Sequence, residues 1–326
     1  MFAEGLQKRF GDVVAVDGID FVVPPGTVGG LLGPNGAGKT TTIRMLTTLL
    51  APDGGRATVA GYDIATEAHQ VRSVISLTGQ YAAVDEDLTG RENLMMVGRL
   101  TRLNRRRAYA RADELLERFG LADATNRLVR NYSGGMRRRL DLAASLVVPP
   151  VVLFLDEPTT GLDPPARLEL WDLIRELRAE GTTIVLTTQY LEEADRLADR
   201  ISVVDVGKVI AEGTADELKR TIGGEVLKLR SADRELVSRA GKVIAARLGI
   251  DPSDAVVDVE RGELLLPIPT GSLSVFGAVR LLDAEGLELD DISLEHASLD
   301  DVFLSLTGHT TADSIAETES SHRSHL

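Results

Sequence analysis

The chain has 326 residues, no cysteine and a formal net charge of −14 at pH 7. Without thiols it forms neither disulfides nor thiolate metal sites, which suits a reducing compartment, and its acidic balance opposes a phosphate backbone except at a local basic patch. With 43% hydrophobic and 26% charged residues it suits two or three compact units, and because its longest apolar run, 146–155, is short and holds Pro149 and Pro150, neither a membrane span nor a signal peptide is expected.

Two β-like runs, 13–16 and 19–23, are separated by Asp17-Gly18 and ended by Pro24-Pro25-Gly26, which predicts a small antiparallel flap. Phe10 lies just ahead of it, an aromatic that could stack on a purine or fill a core. Residues 26–32 read as a turn and an apolar strand, and 41–50 as a helix with Ile43, Leu46 and Leu50 on one side. Between them, Gly33-Pro34-Asn35-Gly36-Ala37-Gly38-Lys39-Thr40 fits the P-loop pattern. A triphosphate is held by backbone N–H groups free of side chains, by the positive end of a helix and by one ammonium, and this stretch offers all three.

A β-like segment at 56–62 is followed by a polar helix start and an apolar strand at 74–77 that runs into Thr78-Gly79-Gln80. Gln80 thus leaves a strand at the edge where α/β sheets bind ligands. From Thr89 the pattern turns helical, with Thr89 and Glu92 spaced as a capping box and Leu94, Val97 and Leu100 on one face. A second helix runs from about 105 to 119 and stops at Gly120. The arginines within 102–111 and Arg137-Arg138-Arg139 lack interleaved aromatics beyond Tyr109, so they read as helix faces rather than a nucleic-acid site.

Asn131-Tyr132-Ser133-Gly134-Gly135-Met136 then precedes a helix expected over 137–148. A serine cap with bare backbone is either a second anion site or a plain N-cap with a flexible entry. Residues 151–155 form a buried strand delivering Asp156-Glu157, adjacent carboxylates that are costly without a cation or a proton and so suit Mg²⁺ chemistry. Asp163 follows in a loop, before a helix with Leu170, Ile174 and Leu177 on one side. A strand at 183–187 leads into Thr188-Gln189 and another helix, and this alternation predicts a mostly parallel sheet covered by helices on both faces. A hairpin at 201–211 turning near Gly207, and a helix capped by Thr214 and Glu217, close the unit near Gly223-Gly224.

These motifs, in this order, resemble the ATP-binding subunit of an ABC transporter over roughly residues 4–220. Gly33 to Thr40 matches the family's P-loop, Gln80 its Q-loop, Tyr132 to Met136 its signature, Leu155-Asp156-Glu157 its second Walker motif, and Gly161-Leu162-Asp163 its D-loop. The resemblance implies an α/β P-loop NTPase cassette over 1–223, with a RecA-like core, an antiparallel flap and a helical subdomain at about 89–145. It also implies ATP and Mg²⁺ as ligands. Phe10 would stack on adenine, Lys39 and the backbone from Asn35 to Thr41 would bind phosphates, and Thr40, Gln80 and Asp156 would serve the metal. Glu157 would orient and deprotonate water, while Ser133, Gly134 and Gly135 would complete the γ-phosphate site of a second copy packed head to tail. Two positions depart from the family pattern. Gln189 stands where most members have histidine, and Met136 where glutamine is usual.

Within the family the resemblance is closest to daunorubicin/doxorubicin-type drug exporter ATPases, through Thr78 to Gly90, Thr187 to Asp195 and Leu299-Asp300-Asp301-Val302-Phe303-Leu304. Gln189 is expected in that subgroup. It implies a peripheral protein on the cytoplasmic side of the cell membrane, paired with a separate permease of about six spanning helices, energising efflux of a hydrophobic drug-like compound or a lipid. A soluble ABC ATPase acting on ribosomes or nucleic acid is the rival reading. It would normally carry two cassettes or a long coiled coil, and this chain has one P-loop and no sustained heptads.

Residues 224–307 carry their own pattern, strands at 225–229, 255–259, 263–268 and 287–294 with helices ending near Leu248 and Leu282. The order β-α-β-β-α-β predicts a ferredoxin-like accessory unit. A last helix over 298–306 places Leu299, Val302, Phe303 and Leu306 on one face, for docking on the core or on a partner copy. From 308 to 326 polar residues without periodicity, His309, His322 and His325 among them, read as a disordered tail.

Overall fold

The computed structural model describes residues 1–79, 83–221, 224–231, 233–251, 255–258, 263–269 and 271–307. Gln80 and the tail 308–326 lie outside the described residues. The chain divides into two compact units, residues 1–189 with 196–209, and 190–195 with 210–326.

The first unit begins with β1 (Phe2–Phe10) paired antiparallel with β2 (Val13–Val22). The sequence predicted two short runs in place of β2 and no strand in place of β1. The correction has a physical cause, since Gly5 and Gly18 take φ values of +58° and +83° and the pairing register slips between Ala3 and Leu6. These bulges break the alternation that marks a strand without breaking the ladder. Next come β3 (Val28–Leu32), α1 (Lys39–Leu46), β4 (Gly54–Val59) and β5 (Tyr62–Asp63). Ala60 and Gly61, both with positive φ, turn β4 back on β5, so the segment expected as one strand is a tight hairpin. The flap sheet has the order β2-β1-β4-β5.

The chain continues through α2 (Ala68–Val74) and β6 (Ile75–Thr78) into α3 (Gly90–Leu100), α4 (Arg105–Arg118) and α5 (Gly134–Ser145). Thr89 and Glu92 make the capping box that their spacing predicts. Helix α5 starts three residues earlier than expected, because the Ser133 hydroxyl accepts from the Met136 N–H at 3.2 Å and so draws both glycines into the first turn. Then follow β7 (Val152–Asp156), α6 (Pro164–Ala179), β8 (Thr183–Thr188), α7 (Leu191–Leu197), β9 (Arg200–Asp205) and β10 (Lys208–Gly213), inside which the boundary between the units falls.

The main sheet has the order β10-β9-β3-β8-β7-β6. The pairings β6 with β7, β7 with β8, β8 with β3 and β3 with β9 are all parallel, so these five strands end on one edge of the sheet. Strand β7 shows why the sheet is stable. Leu153 and Leu155 join a core with the helices α3 to α6, whereas Val152 and Phe154 face a core shared with the flap. All four are buried, each contributing about 1.5–3 kcal/mol, which offsets the cost of carrying carboxylates at the strand's end.

The second unit contains α8 (Ala215–Thr221), β11 (Gly224–Arg230), α9 (Arg234–Leu248), β12 (Val256–Asp258), β13 (Glu263–Pro269), α10 (Val275–Ala284), β14 (Asp291–His296) and α11 (Leu299–Thr307). Its sheet is ordered β12-β13-β11-β14, with every pairing antiparallel. Leu227, Leu264 and Ile268 pack with Val237, Ile244 and Leu282 on one face, while Val226 and Leu265 pack with Leu304 of α11 on the other. Strand β14 begins four residues later than the sequence suggests. Gly286 turns at φ +65° and the Leu287 N–H still bonds to Leu282 O at 3.0 Å, so 287–290 finishes the helix exit.

Candidate nucleotide site

The parallel strands deliver their loops to one edge. After β3, Gly33 donates its N–H to Thr188 O at 3.2 Å, and a Cβ there would lie 2.1 Å from Val204 O. Only glycine fits. Gly38 has φ +105°, and a Cβ on it would come within 2.5 Å of Ala15 O. Ala37 closes a turn onto Pro34 O and accepts from Gly207 N at 3.0 Å, so the loop is clasped by the β9–β10 turn. Gly38 caps α1 without a side chain, leaving the first-turn N–H groups clear of any capping side chain.

Lys39 is 3% exposed and donates to the carbonyls of Gly33 and Pro34, both at 2.8 Å. Its Nζ also lies 3.3 Å from Glu157 Oε1. Burial pulls the lysine's pKa down, and the carboxylates of Glu157 and Asp156 push against that shift. Asp156, at the end of β7, accepts from Thr187 Oγ1 at 2.6 Å and from Thr40 Oγ1 at 3.1 Å. Glu157 follows with φ +49°, a left-handed conformation held by its N–H bonding to Thr187 O at 3.1 Å and Oγ1 at 3.0 Å. Gln189, after β8, is buried, and its Oε1 accepts no hydrogen bond among the described residues.

These groups enclose a cavity of about 670 Å³ lined by Ala15, Asn35, Gly36, Gly38, Lys39, Thr40, Thr41, Glu157, Thr160 and Gln189. It is a glycine cradle with one ammonium, one carboxylate and an unsatisfied amide oxygen, and Asp156 accepts from the lining residue Thr40, a donor set that suits a triphosphate and its hydrolysis. Among the described residues no group of three His, Asp or Glu could cage a metal. The oxygens of Thr40 and Asp156, 3.1 Å apart, are hard donors of the kind that suits Mg²⁺, which takes few protein ligands and fills its shell with phosphate and water.

Other predicted residues lie away from this cavity. Phe10, at the end of β1, is 50% exposed, with Lys8 Nζ 5.8 Å from its ring centroid. Ser133 and Gly134 are exposed at the start of α5. Gly135 is fixed by packing, since a Cβ would sit 2.8 Å from Ala166 Cβ. Asp163 caps α6 by position, with no side-chain bond to the helix. Sequence reasoning missed Ala15, Thr160 and Thr187. Of these, Thr187 left a signal, a hydroxyl at the end of a buried strand, but threonine is equally at home there for its shape.

A family model described as ABC transporter matches residues 16–160. The daunorubicin resistance ATP-binding protein DrrA3 of Streptomyces coeruleorubidus is 56% identical over 305 residues, 94% of this chain and 95% of the relative. The chain belongs to the ABC transporter ATP-binding proteins of the daunorubicin/doxorubicin-resistance type. The Nod factor export ATP-binding protein I of Burkholderia lata is 39% identical, over 94% of this chain and 97% of that one. A solved structure titled as the ATP binding subunit of an ABC transporter is 29% identical with a TM-score of 0.61, covering 68% of this chain and 92% of its own. The cassette fold is thus general to ABC ATPases, whereas the likeness to the resistance proteins runs on through the second unit. As an ABC ATPase the chain binds ATP and couples its hydrolysis to transport.

Proposed function

We propose that this subunit is the motor of an exporter on the cytoplasmic face of the cell membrane, working as a head-to-tail homodimer beneath a separate polytopic permease and driving efflux of a hydrophobic drug-like compound or a lipid. The single observation that carries the mechanism is the convergence in one cavity of Lys39, Thr40 and Glu157, with Asp156 hydrogen-bonded to Thr40. The N–H groups from Asn35 to Thr41 receive the phosphates, and Lys39 turns from the carbonyls it now holds to the phosphate oxygens. Glu157 takes the proton from the attacking water, and Gln189 offers its amide to that water or to the terminal phosphate. Thr40 and Asp156, with Gln80, would hold Mg²⁺, which neutralises charge on the phosphates. Phe10, Ser133, Gly134, Gly135 and Asp163 serve at a surface, Phe10 for adenine and the others toward the nucleotide of the second copy. Resistance and export in the relatives' names support the direction of transport.

The domain reading is of the same kind. A cassette over 1–223 is followed by an accessory domain over 224–307 and a tail over 308–326. The sheet order β12-β13-β11-β14 with two helices on one face supports a ferredoxin-like accessory domain. Purification of the tagged chain from gently solubilised membranes should bring down a multi-span protein in near-equal amount. Ribosomal proteins from a cytosolic pool would instead favour a soluble ABC ATPase. In the purified protein, Glu157→Gln should abolish turnover while ATP binding survives, and unchanged hydrolysis would refute the assigned base.

A further inference from the structure

Helix α5 carries two buried charges, one turn apart, that lie outside the nucleotide cavity. Arg138 and Asp141 are 7% and 5% exposed, with Arg138 Nη1 3.6 Å from Asp141 Oδ2. Arg138 donates to Pro158 O at 2.6 Å, to Glu157 O at 3.2 Å and to Asp156 O at 3.4 Å. It also donates to Gly79 O at 2.6 Å, while Asp141 Oδ1 accepts from Ala83 N at 2.8 Å. One side chain thus binds three successive carbonyls around the Glu157 backbone. The pair together holds the residues on either side of 80–82.

Burying an arginine is costly unless its donors are satisfied, and a well-packed apolar pair would often be as stable. Stability alone therefore does not account for a guanidinium here. Its planar fork of five donors reaches several carbonyls at once, which an ammonium with three donors on a flexible stem does not reproduce. The carbonyls it selects flank a residue at φ +49°, a conformation that persists only when its surroundings enforce it.

We propose that Arg138 and Asp141 are positioning residues for hydrolysis, tying helix α5, whose exposed start carries Ser133 and Gly134, to the backbone of Glu157 and to both flanks of the segment that carries Gln80. Any tilt of α5 then moves the carboxylate that activates water. The pair governs how fast bound ATP reacts and has little hold on how tightly ATP binds, since the phosphate loop is fixed by other contacts. The inference rests on the reading of Glu157 as the base.

The test uses the full chain with Arg138→Lys, Asp141→Asn, the double variant and Arg138→Leu. Measured are kcat and KM for ATP, equilibrium ATP affinity with Mg²⁺ chelated, and the thermal midpoint. Arg138→Lys should lower kcat about tenfold and leave KM and affinity within about twofold. Asp141→Asn should lower kcat likewise, and the double variant should be no slower than the poorer single one, because both act through one linkage. Arg138→Leu should be slower than Arg138→Lys; if it does not fold, the lysine and asparagine variants carry the test. A kcat retained within about twofold in both of those, a fall in affinity as large as the fall in kcat, or multiplicative losses in the double variant would each overturn the proposal. Glu157→Gln is run alongside. Turnover surviving there unseats the base and leaves the Arg138 split between kcat and KM to be judged separately.

Discussion

Thr187 serves both acidic residues with one hydroxyl, donating to Asp156 at 2.6 Å and accepting from the Glu157 N–H at 3.0 Å. Thr187→Val keeps the shape and removes both bonds. It should cost about 1–3 kcal/mol in urea unfolding and slow hydrolysis, with Thr187→Ser restoring both. Gln189 differs from the histidine usual in the family in having no proton to gain near neutrality. Gln189→His should therefore give the hydrolysis rate an inflection near a pH of about 6.5 that the native chain lacks, read from a kcat profile between mildly acidic and neutral pH. The P-loop residues were legible in the sequence because phosphate contact dictates their types locally. Gly33 could hardly be anything else with Val204 O so close, although that clash lies far along the chain and could not itself be read. Thr187 and Arg138 were illegible in role, since their partners come from other strands and from a helix whose register only the fold sets.

At the scale of elements, caps were read well because they are local. Glu92 receives the Thr89 N–H and hydroxyl, and these bonds hold its carboxyl below the ordinary glutamate range. Its folded pKa is depressed, so the stability it adds is present above the ordinary value of 4.5 and is lost as pH falls through the folded value. The gap in urea midpoint between the native chain and Glu92→Ala should accordingly be full at neutral pH and close under acid. Strands were read less well where backbone irregularity hid them. β1 and β2 carry bulges at glycines, and the turn at Ala60-Gly61 divides what composition presents as one run. The main sheet was legible for the opposite reason. Parallel strands buried on both faces are continuous apolar runs, as in β7 and β8.

For the molecule as a whole, the order of motifs carried the family and the sheet edge carried the chemistry, while assembly is the part that one chain expresses least. Ser133 and Gly134 are exposed and do not line the nucleotide cavity of their own chain; the proposed assembly has them meet the nucleotide of a second copy. Glu157→Gln with ATP and Mg²⁺ should therefore double in mass by light scattering, and the same variant with ADP should not. Replacing Ser133 by Arg in that background should abolish the doubling and leave binding of one ATP per chain intact. Saturating ATP should also raise stability by about 2.7 kcal/mol at a hundred times its dissociation constant, through mass action on the folded state.

The clasp beneath the phosphate loop bears on kinetics. Ala37 O is held by Gly207 N and Gly33 N by Thr188 O, so two separate segments fix the loop, and Asp17 N braces the first of them through Gly207 O. Its conformational freedom is surrendered when the chain folds, and little ordering remains for the moment of ATP capture. Arrival is then limited by encounter, and differences in affinity among variants of this loop should appear as differences in residence time. A loop held by these bonds before its nucleotide arrives is suited to a cycle whose slow steps lie elsewhere.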